Sequence, residues 1–566
     1  MQEKIWEYRN KQLKKEDVSA FAARHSLPFA IAVILMNRNV SDDDVAAFLK
    51  KSLESVHNPF LLNDMEPAVD RIIKAVNEKE KIVIYGDYDV DGITSTATLY
   101  KFLKSISADV DYYIPDRFSE GYGINIMAVN KLARAGTKLL ITVDCGITAV
   151  GEVAFAKTQG LDVVITDHHT CKEELPKAVA VINPKRNDST YPFCGLAGVG
   201  VAFKLVLALA IRLELNTKNV FLEYVDMVAI GTIADVVPLC DENRIIVDKG
   251  IKVIENTKNK GIRALLAASG VSGKLLDSTM LAFSVAPRLN VAGRLENAKI
   301  AVELLTCDDE LRANEIGEYL NETNQKRQGI EQKIFEEAES QIESFKKEQL
   351  VYVLSYEGWH HGVIGIVASR LCDRLYRPCI LISCENGKGK GSGRSIEELN
   401  LFDALTDSDE ILTAFGGHSQ AAGLSINENK IDEFRERINA YAKKNLEGIN
   451  LIPKIRIDCN LNGNSITMAA AKMLACLEPF GAANENPIFS ALGLKVMSVN
   501  QMGAEGKHLR LRLTDGAVAF NAVGFGMGQY ADEINPGDTV NIAFTMNINV
   551  YQGTENLQLL LKDIKK

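Results

Sequence analysis

The stretch KIVIYGDYDVDGITST, residues 81–96, reads as a buried strand, Lys81 to Tyr85, that breaks off into Asp87, Asp89 and Asp91. Gly92, Thr94, Ser95 and Thr96 then turn the chain into a helix. Two more apolar runs end the same way: Leu139 to Val143 runs into Asp144, and Val163 to Thr166 into Asp167, His168 and His169. In an open parallel sheet, ligands bind outside the carboxyl ends of the strands, so acids and imidazoles collected there converge on one crevice. Carboxylates packed this closely repel one another and resist desolvation unless a cation sits among them. A metal site is the simplest resolution.

Working outward, 566 residues are too many for one core and suggest three or four compact units. With 46% apolar and 24% charged residues the composition is that of an ordinary globular protein. A net charge of −10 argues against binding polyanions over the whole surface, although a local basic groove stays open. The amino terminus, MQEKIWEYRNKQLKK, has no apolar signal region, and the longest apolar stretch, Gly198 to Ile211, is interrupted by Lys204 and too short to span a bilayer. The expectation is a soluble, cytoplasmic protein with no membrane partner. Ten cysteines without a CxxC pair fit a reducing compartment and buried small hydrophobes.

Residues 1–75 read as a helical segment, with Val45, Ala46, Phe48 and Leu49 at helical spacing. Over 76–308, strands alternate with helices as in right-handed βαβ units and then give way to helices with loops. Residues 309–346 form one long charged amphipathic helix, with Leu311, Ile316, Leu320, Ile334 and Ile342 along its apolar face. A second, smaller α/β lobe covers 347–450. From 451 to 566 the pattern turns to β alternation, as in His508 to Leu513, with turns at Asp515-Gly516 and Pro536-Gly537, and predicts a small β-barrel. The fold class is therefore α/β, two lobes joined by a long helix, with a barrel at the carboxyl end.

Asp89, Asp91, Asp144, His168 and Asp235, the last in GTIADVVPL, form a mixed carboxylate and imidazole set that suits Mn²⁺ or Mg²⁺, with Mn²⁺ favoured by the imidazole. So many ligands exceed the needs of one ion. Two ions about 3.5–4 Å apart are the usual device for hydrolysing phosphate esters. Asp87 and Asp167 are either ligands or residues that orient one. In the second lobe, GKGKGSGRS (387–395) and FGGHSQAAG (415–423) read as glycine nests for a phosphate, with Ser392, Arg394 and His418 as side-chain donors. Arg117 in PDRFSEGYG, and Arg288 and Arg294 in APRLNVAGR, lie in glycine-bearing loops, where surface solvation is the alternative.

The ordered set GDYDVDGITS, TVDCGI, TDHH and GTIADVVPL resembles the phosphoesterase motifs of the DHH superfamily. With NPKR (183–186), GLAGVGVAFKL (195–205), APRLNVAGRL, WHHGVIGIVASRL (359–371), GSGRS, FGGHSQAAG and LEPFGAANENP (477–487), the chain is similar to the RecJ family from about residue 75 onward. The resemblance implies a 5′-to-3′ exonuclease specific for single-stranded DNA that releases 5′-mononucleotides with Mn²⁺ or Mg²⁺ in recombination and repair. It implies a DHH domain over 76–308, a DHH-associated substrate-binding domain over 347–450 and an OB-fold over 451–566. It further implies Asp89, Asp91, Asp144, His168 and Asp235 as metal ligands and His169 against the scissile phosphate, supported by Asp87 and Asp167. Arg117, Ser392 and Arg394 would hold the terminal 5′-phosphate, and Arg288, Arg294 and His418 the strand path. A RecQ-type helicase and a single-strand-binding protein are the partners it implies. OB-folds also stack bases on aromatics, for which Phe520, Phe525 and Tyr551 are candidates, core packing being the alternative.

Three positions depart from the family pattern: His361 for a proline, Ala483 for a glycine, and RLENA (294–298) without its glycine. Two competing expectations remain. One is a DHH phosphodiesterase for short oligonucleotides or cyclic dinucleotides, usually built without the barrel; the other is a non-catalytic replication scaffold, which would not need an intact acidic cluster.

Overall fold

The computed structural model describes residues 4–117, 119–345, 347–551 and 554–566. The chain divides into two compact units: residues 1–293, 297–318 and 454–566 in the first, and 294–296 and 319–453 in the second.

At the centre of the first unit is a five-stranded parallel sheet, ordered Val110–Tyr113, Ile82–Tyr85, Leu139–Val143, Asp162–Thr166, Ala180–Ile182. The order reverses between Ile82–Tyr85 and Leu139–Val143, so the crevice of a doubly wound sheet opens beside the ends of these two strands. Ile82, Ile84, Leu139, Ile141 and Val164 are fully buried, as strands covered on both faces require. Burying each such side chain contributes roughly 1.5–3 kcal/mol. Tyr85 pairs with Thr142 and Val143 with Thr166, so the strands end level and the acids that follow emerge at one edge.

The amino-terminal segment is not wholly helical. Ile5–Tyr8 is a strand paired in parallel with Lys454–Ile457, because its aromatic alternation suits a pleated surface: Trp6 and Tyr8 pack on Ile455, Ile457 and Ala543. The helices Lys15–His25 and Phe29–Asn37 follow, and Phe21, Ile31, Ile34 and Leu35 share one core with Leu477, Phe489, Leu509 and Phe544. This segment therefore completes the carboxyl-terminal barrel. In the barrel, Phe489–Met502, His508–Thr514, Ala519–Gly524, Thr554–Lys565 and Thr539–Tyr551 pair in that order, and Phe489–Met502 also pairs with Thr539–Tyr551 to close the ring. That is the five-stranded closure of an OB-fold. Among the described residues no single helix is long and apolar enough to cross a membrane.

The long helix runs Glu310–Ser344. The second unit holds a five-stranded mixed sheet ordered Leu412–Gly417, Ala421–Asn427, Lys388–Arg394, Cys379–Glu385, Tyr352–Glu357, with the helix Ile364–Leu375 packed on its middle strands. Here the expected glycine nests are corrected. GKGKGSGR is a central strand and FGGHSQAAG a hairpin, so their backbone N–H groups are spent in the sheet ladder. Gly389, Gly391 and Gly393 alternate against Ile382, Leu424 and Leu401, where a Cβ would come within 2.6–2.9 Å of those side chains. The glycines serve close packing.

Candidate active site

Each acid reaches the crevice by a different local device. Asp89 caps the helix Val90–Ser105, its Oδ1 accepting from Gly92 N–H at 3.0 Å. Asp91 therefore lies in the first helical turn. Its two oxygens accept from the N–H groups of Val199 and Gly198, each at 2.7 Å, at the amino terminus of the helix Gly198–Arg212. A Cβ at Gly198 would stand 2.5 Å from Asp144 Oδ1, so only glycine lets this helix approach so closely. Asp144 leaves its strand in the left-handed region at φ 59°, a conformation Asp tolerates better than most. Asp235 follows the helix Thr217–Ala234 as its carboxyl-terminal cap.

The Asp167-His168-His169 turn sorts its side chains into distinct tasks. Asp167 Oδ1 accepts the N–H groups of His168 at 2.7 Å and His169 at 3.0 Å, and Oδ2 accepts Ile147 N–H at 2.9 Å. His169 Nδ1 lies 2.8 Å from the same Oδ1. Burial alone would raise Asp167, but the hydrogen bond and charge of His169 hold it below the usual carboxylate range. The same bond raises His169 against its own desolvation. Asp167 is thus saturated and orients His169, whose side chain stays 43% exposed.

His168 faces the other way. Nδ1 lies 3.1 Å from Leu196 O, which places a hydrogen on Nδ1 and leaves Nε2 a bare acceptor. That nitrogen is 3.2 Å from Asp144 Oδ1, 3.6 Å from Asp235 Oδ2 and 3.8 Å from Asp91 Oδ2. Burial, then the neighbouring His169, pushes His168 down to about 4. Burial, then mutual repulsion, raises Asp87, Asp91 and Asp144 well above the usual range, and Asp235 to about 7. Three donor sets converge within 4.8 Å: Asp87, Asp89, Asp144; Asp91, His168, Asp235; and Asp144, His168, His169. Asp87 Oδ1, Asp144 Oδ1 and His168 Nε2 are buried without hydrogen-bond partners. Unsatisfied acceptors aimed at one another are costly, and divalent cations bound by hard oxygens and an imidazole supply what they lack.

Several contributors escaped the sequence reading. The amides of Gly198 and Val199 and the Leu196 carbonyl belong to GLAGVGVAFKL, whose small residues before an apolar helix are the only local signal. Asn183 donates to His169 O at 2.9 Å. Tyr122 O–H lies 3.3 Å from His169 Nδ1. Lys185, exposed after the last strand of the sheet, places its charge within reach of His168 and Asp235. Arg117 lies over the Tyr88 ring, 5.1 Å from its centre, and its charge reaches Asp87.

Arg288 donates to Ser284 O within its own helical turn. In the second unit, Arg294 Nη1 donates to Gly362 O at 3.0 Å, and Arg394 Nη1 lies 3.3 Å from Ser392 Oγ. Ser392 and Arg394 sit against Gly365 in the first turn of the helix Ile364–Leu375. Arg294, Ser392 and Arg394 thus gather at one helix amino terminus, while His418 is at an exposed hairpin tip. On the barrel, Arg510 and Arg512 point outward, and Phe525 is 63% exposed with its ring centre 5.2 Å from that of His508. Phe520 is 5% exposed in the barrel core, so of the two readings core packing holds for it. The Tyr551 side chain lies outside the described residues.

Family models match the DHH family N-terminal domain over residues 81–232, the DHHA1 domain over 347–444 and the RecJ OB domain over 457–563. The chain is 39% identical to the single-stranded-DNA-specific exonuclease RecJ of Bacillus subtilis, covering 95% of this chain and 68% of that one. It is 35% identical to the RecJ of Haemophilus influenzae, covering 91% and 93%. The chain belongs to the RecJ family. The crystal structure of RecJ from Thermus thermophilus in complex with Mn²⁺ is 29% identical, with a TM-score of 0.85 and coverage of 100% of this chain and 79% of that one. A RecJ exonuclease bound to manganese is 35% identical, with a TM-score of 0.61 over 69% of this chain and 98% of that one.

Proposed function

We propose that this member of the RecJ family is a metal-dependent exonuclease that removes mononucleotides from the 5′ end of single-stranded DNA in the cytoplasm. The observation that carries the reading is the pair of donor sets joined through Asp144 and His168, with orphaned buried acceptors, beside a histidine held by a saturated aspartate. Asp89, Asp91, Asp144, His168 and Asp235 would hold Mn²⁺ or Mg²⁺, and the Oδ1 of Asp87, buried without a hydrogen-bond partner, would join them. Divalent ions bound there would supply charge to offset that of the phosphodiester oxygens and would ease deprotonation of the attacking water.

The chain's own residues do the rest. Asp167 fixes the His169 ring so that Nε2 meets the scissile phosphate, and the hydrogen bond and charge of Asp167 favour the protonated ring. Lys185 and Arg117 supply positive charge to backbone phosphates near opposite members of the cluster. In the second unit, Ser392, Arg394 and Arg294 at a helix amino terminus suit an anion, which we assign to the terminal 5′-phosphate. Outward Arg510 and Arg512 and exposed Phe525 give the barrel both charge and a stacking face for single strands. A helicase and a single-strand-binding protein fit this reading as suppliers of substrate.

The test is Mn²⁺-dependent digestion of an oligonucleotide labelled at either end, beside its duplex, a matched RNA and a dinucleotide. Progressive release of mononucleotides from the 5′ end is expected, and Arg394→Ala should raise KM about tenfold for a 5′-phosphorylated strand and much less for a 5′-hydroxyl strand. Activity confined to the dinucleotide would refute the proposal.

A further inference from the structure

One motif in the chain has no part in the chemistry above: LEPFGAANENP, residues 477–487. Leu477 is fully buried in the barrel core, and Phe480 packs against that core. Its carbonyls are held by distant side chains. Arg244 donates to Leu477 O at 2.6 Å and to Cys476 O at 3.0 Å, and Lys51 to Glu478 O at 2.9 Å. Buried Asn484 bonds Leu477 O at 2.9 Å and Pro479 O at 2.7 Å, and Gly481 and Asn484 close the turn on each other. The segment is over-determined and rigid.

Its outer edge meets the loop after Asp235. Leu239 N–H donates to Ala482 O at 2.8 Å, and a Cβ at Gly481 would stand 2.6 Å from Leu239 Cδ1. From the other side, buried Asn243 donates to Pro238 O at 3.0 Å and to Gly195 O at 2.7 Å, one residue before the carbonyl that holds His168. Between Asp235 and these clamps lies Val236, a β-branched residue 70% exposed at φ 60°. A left-handed valine is strained and persists only where its surroundings over-determine it. Asp235 needs such support more than the other acids do. Asp144 leaves directly from a sheet strand and Asp91 is gripped by two amides, whereas Asp235 ends a helix and turns at once into loop.

We propose that Leu477–Pro487 is a positioning element for the metal site: anchored in the barrel core, it holds the strained Val236–Leu239 turn and so fixes the Asp235 carboxylate beside Asp91 and His168. The inference rests on Asp235 being a metal ligand. It makes the barrel part of the catalytic site's construction as well as a surface for nucleic acid.

The test is steric. In Gly481→Ala the new methyl pushes Leu239 and with it the turn, whereas Gly481→Ala/Leu239→Ala restores room. Mn²⁺ affinity is measured by the electron paramagnetic resonance of free Mn²⁺, with oligonucleotide binding in EDTA by fluorescence anisotropy as a reference. Gly481→Ala should weaken Mn²⁺ binding about tenfold, the range seen when a group orienting a ligand is lost. Oligonucleotide binding in EDTA should stay unchanged, and the double variant should recover Mn²⁺ affinity to within threefold of the parent. Asn484→Ser, which frees the same segment without adding bulk, should also weaken Mn²⁺ binding. Parental Mn²⁺ affinity in both single variants, or a loss that Leu239→Ala does not relieve, overturns the inference. Asp235→Asn separates the layers: unchanged Mn²⁺ affinity there would remove the ligand assignment itself, while a loss there beside parental affinity in Gly481→Ala defeats only the positioning role.

Discussion

Replacing Asp235 by asparagine should stabilise the metal-free protein and cripple the metal-loaded one. Asp235 is raised from 3.8 to about 7, by burial and then by the charge of Asp89, and its side chain is 25% exposed. A shift of about three units at roughly 1.36 kcal/mol each amounts to about 4 kcal/mol against the ionised form. Because the folded-state value is raised, the folded metal-free chain binds more protons than the unfolded chain between about pH 4 and pH 7. The stability this confers is present at low pH and lost as pH rises through about 7. Asparagine stays neutral throughout. At pH 5 the variant should therefore already melt slightly higher than the parent in EDTA, because part of the window from about pH 4 to pH 7 has been crossed, and at pH 8 the gap should reach its full size. If relaxation halves the figure to about 2 kcal/mol, the gain is about 4–8 °C at roughly 2–4 °C per kcal/mol for a domain of this size. Thermal melting at both pH values, with EDTA and with Mn²⁺, measures all of this. Mn²⁺ should raise the parent's Tm more at pH 8 than at pH 5, since ligands must shed protons to bind it, and should raise the variant's little at either. A variant that melts no higher than the parent at pH 8 in EDTA, or that keeps the full response to Mn²⁺, refutes the account of a self-repelling carboxylate cluster.

Two further outcomes follow from single residues. His169→Gln should lower kcat about 10²–10⁴-fold while Mn²⁺ affinity stays within threefold, because the ring works as a proton-bearing contact beside the donor sets; an equal loss of Mn²⁺ affinity would make it a ligand instead. Ala483→Gly should raise Tm: Ala483 stands at φ 58°, which costs an L-residue about 1–2 kcal/mol, and the greater freedom of an unfolded glycine offsets about 0.4–1 kcal/mol of the relief. The net gain is a few tenths to about 1 kcal/mol, and a lowered Tm would show that the backbone there is not strained. The glycine that the resemblance implies at this position would occupy the left-handed turn without that cost.

The barrel closes a five-stranded ring around a core that residues near both chain ends must fill together. Phe21, Ile31 and Leu35 pack with Phe489, Leu509 and Phe544, so the helical segment at the amino terminus has a structural task that its own sequence does not announce. The buried pair Lys204 and Glu242 has the same character: Lys204 also donates to His57 O at 2.8 Å, tying the helix that grips Asp91 to the amino-terminal segment. Taking either partner away would leave an unpaired buried charge.

The parallel sheet, the strand ends at Tyr85, Val143 and Thr166, the long helix and the acids and histidines of the cluster were all legible in the sequence. Each is written in a local pattern: unbroken apolar runs for strands covered on both faces, helical periodicity over residues 309–346, polar residues where a run stops. The tertiary structure alone decided the rest. Glycines at 389, 391 and 393 look like a phosphate nest until Ile382, Leu424 and Leu401 are seen packing on them in a central strand. Phe520 and Phe525 read alike in the sequence, as stacking or core aromatics, and only the closed barrel separates them, one buried and the other exposed. The grip on Asp91 comes from amides more than a hundred residues away, and the hold on the Asp235 turn from a carbonyl at Ala482. Local patterning records what a residue needs, burial or a partner; which distant atom satisfies that need is fixed only when the chain closes its cores.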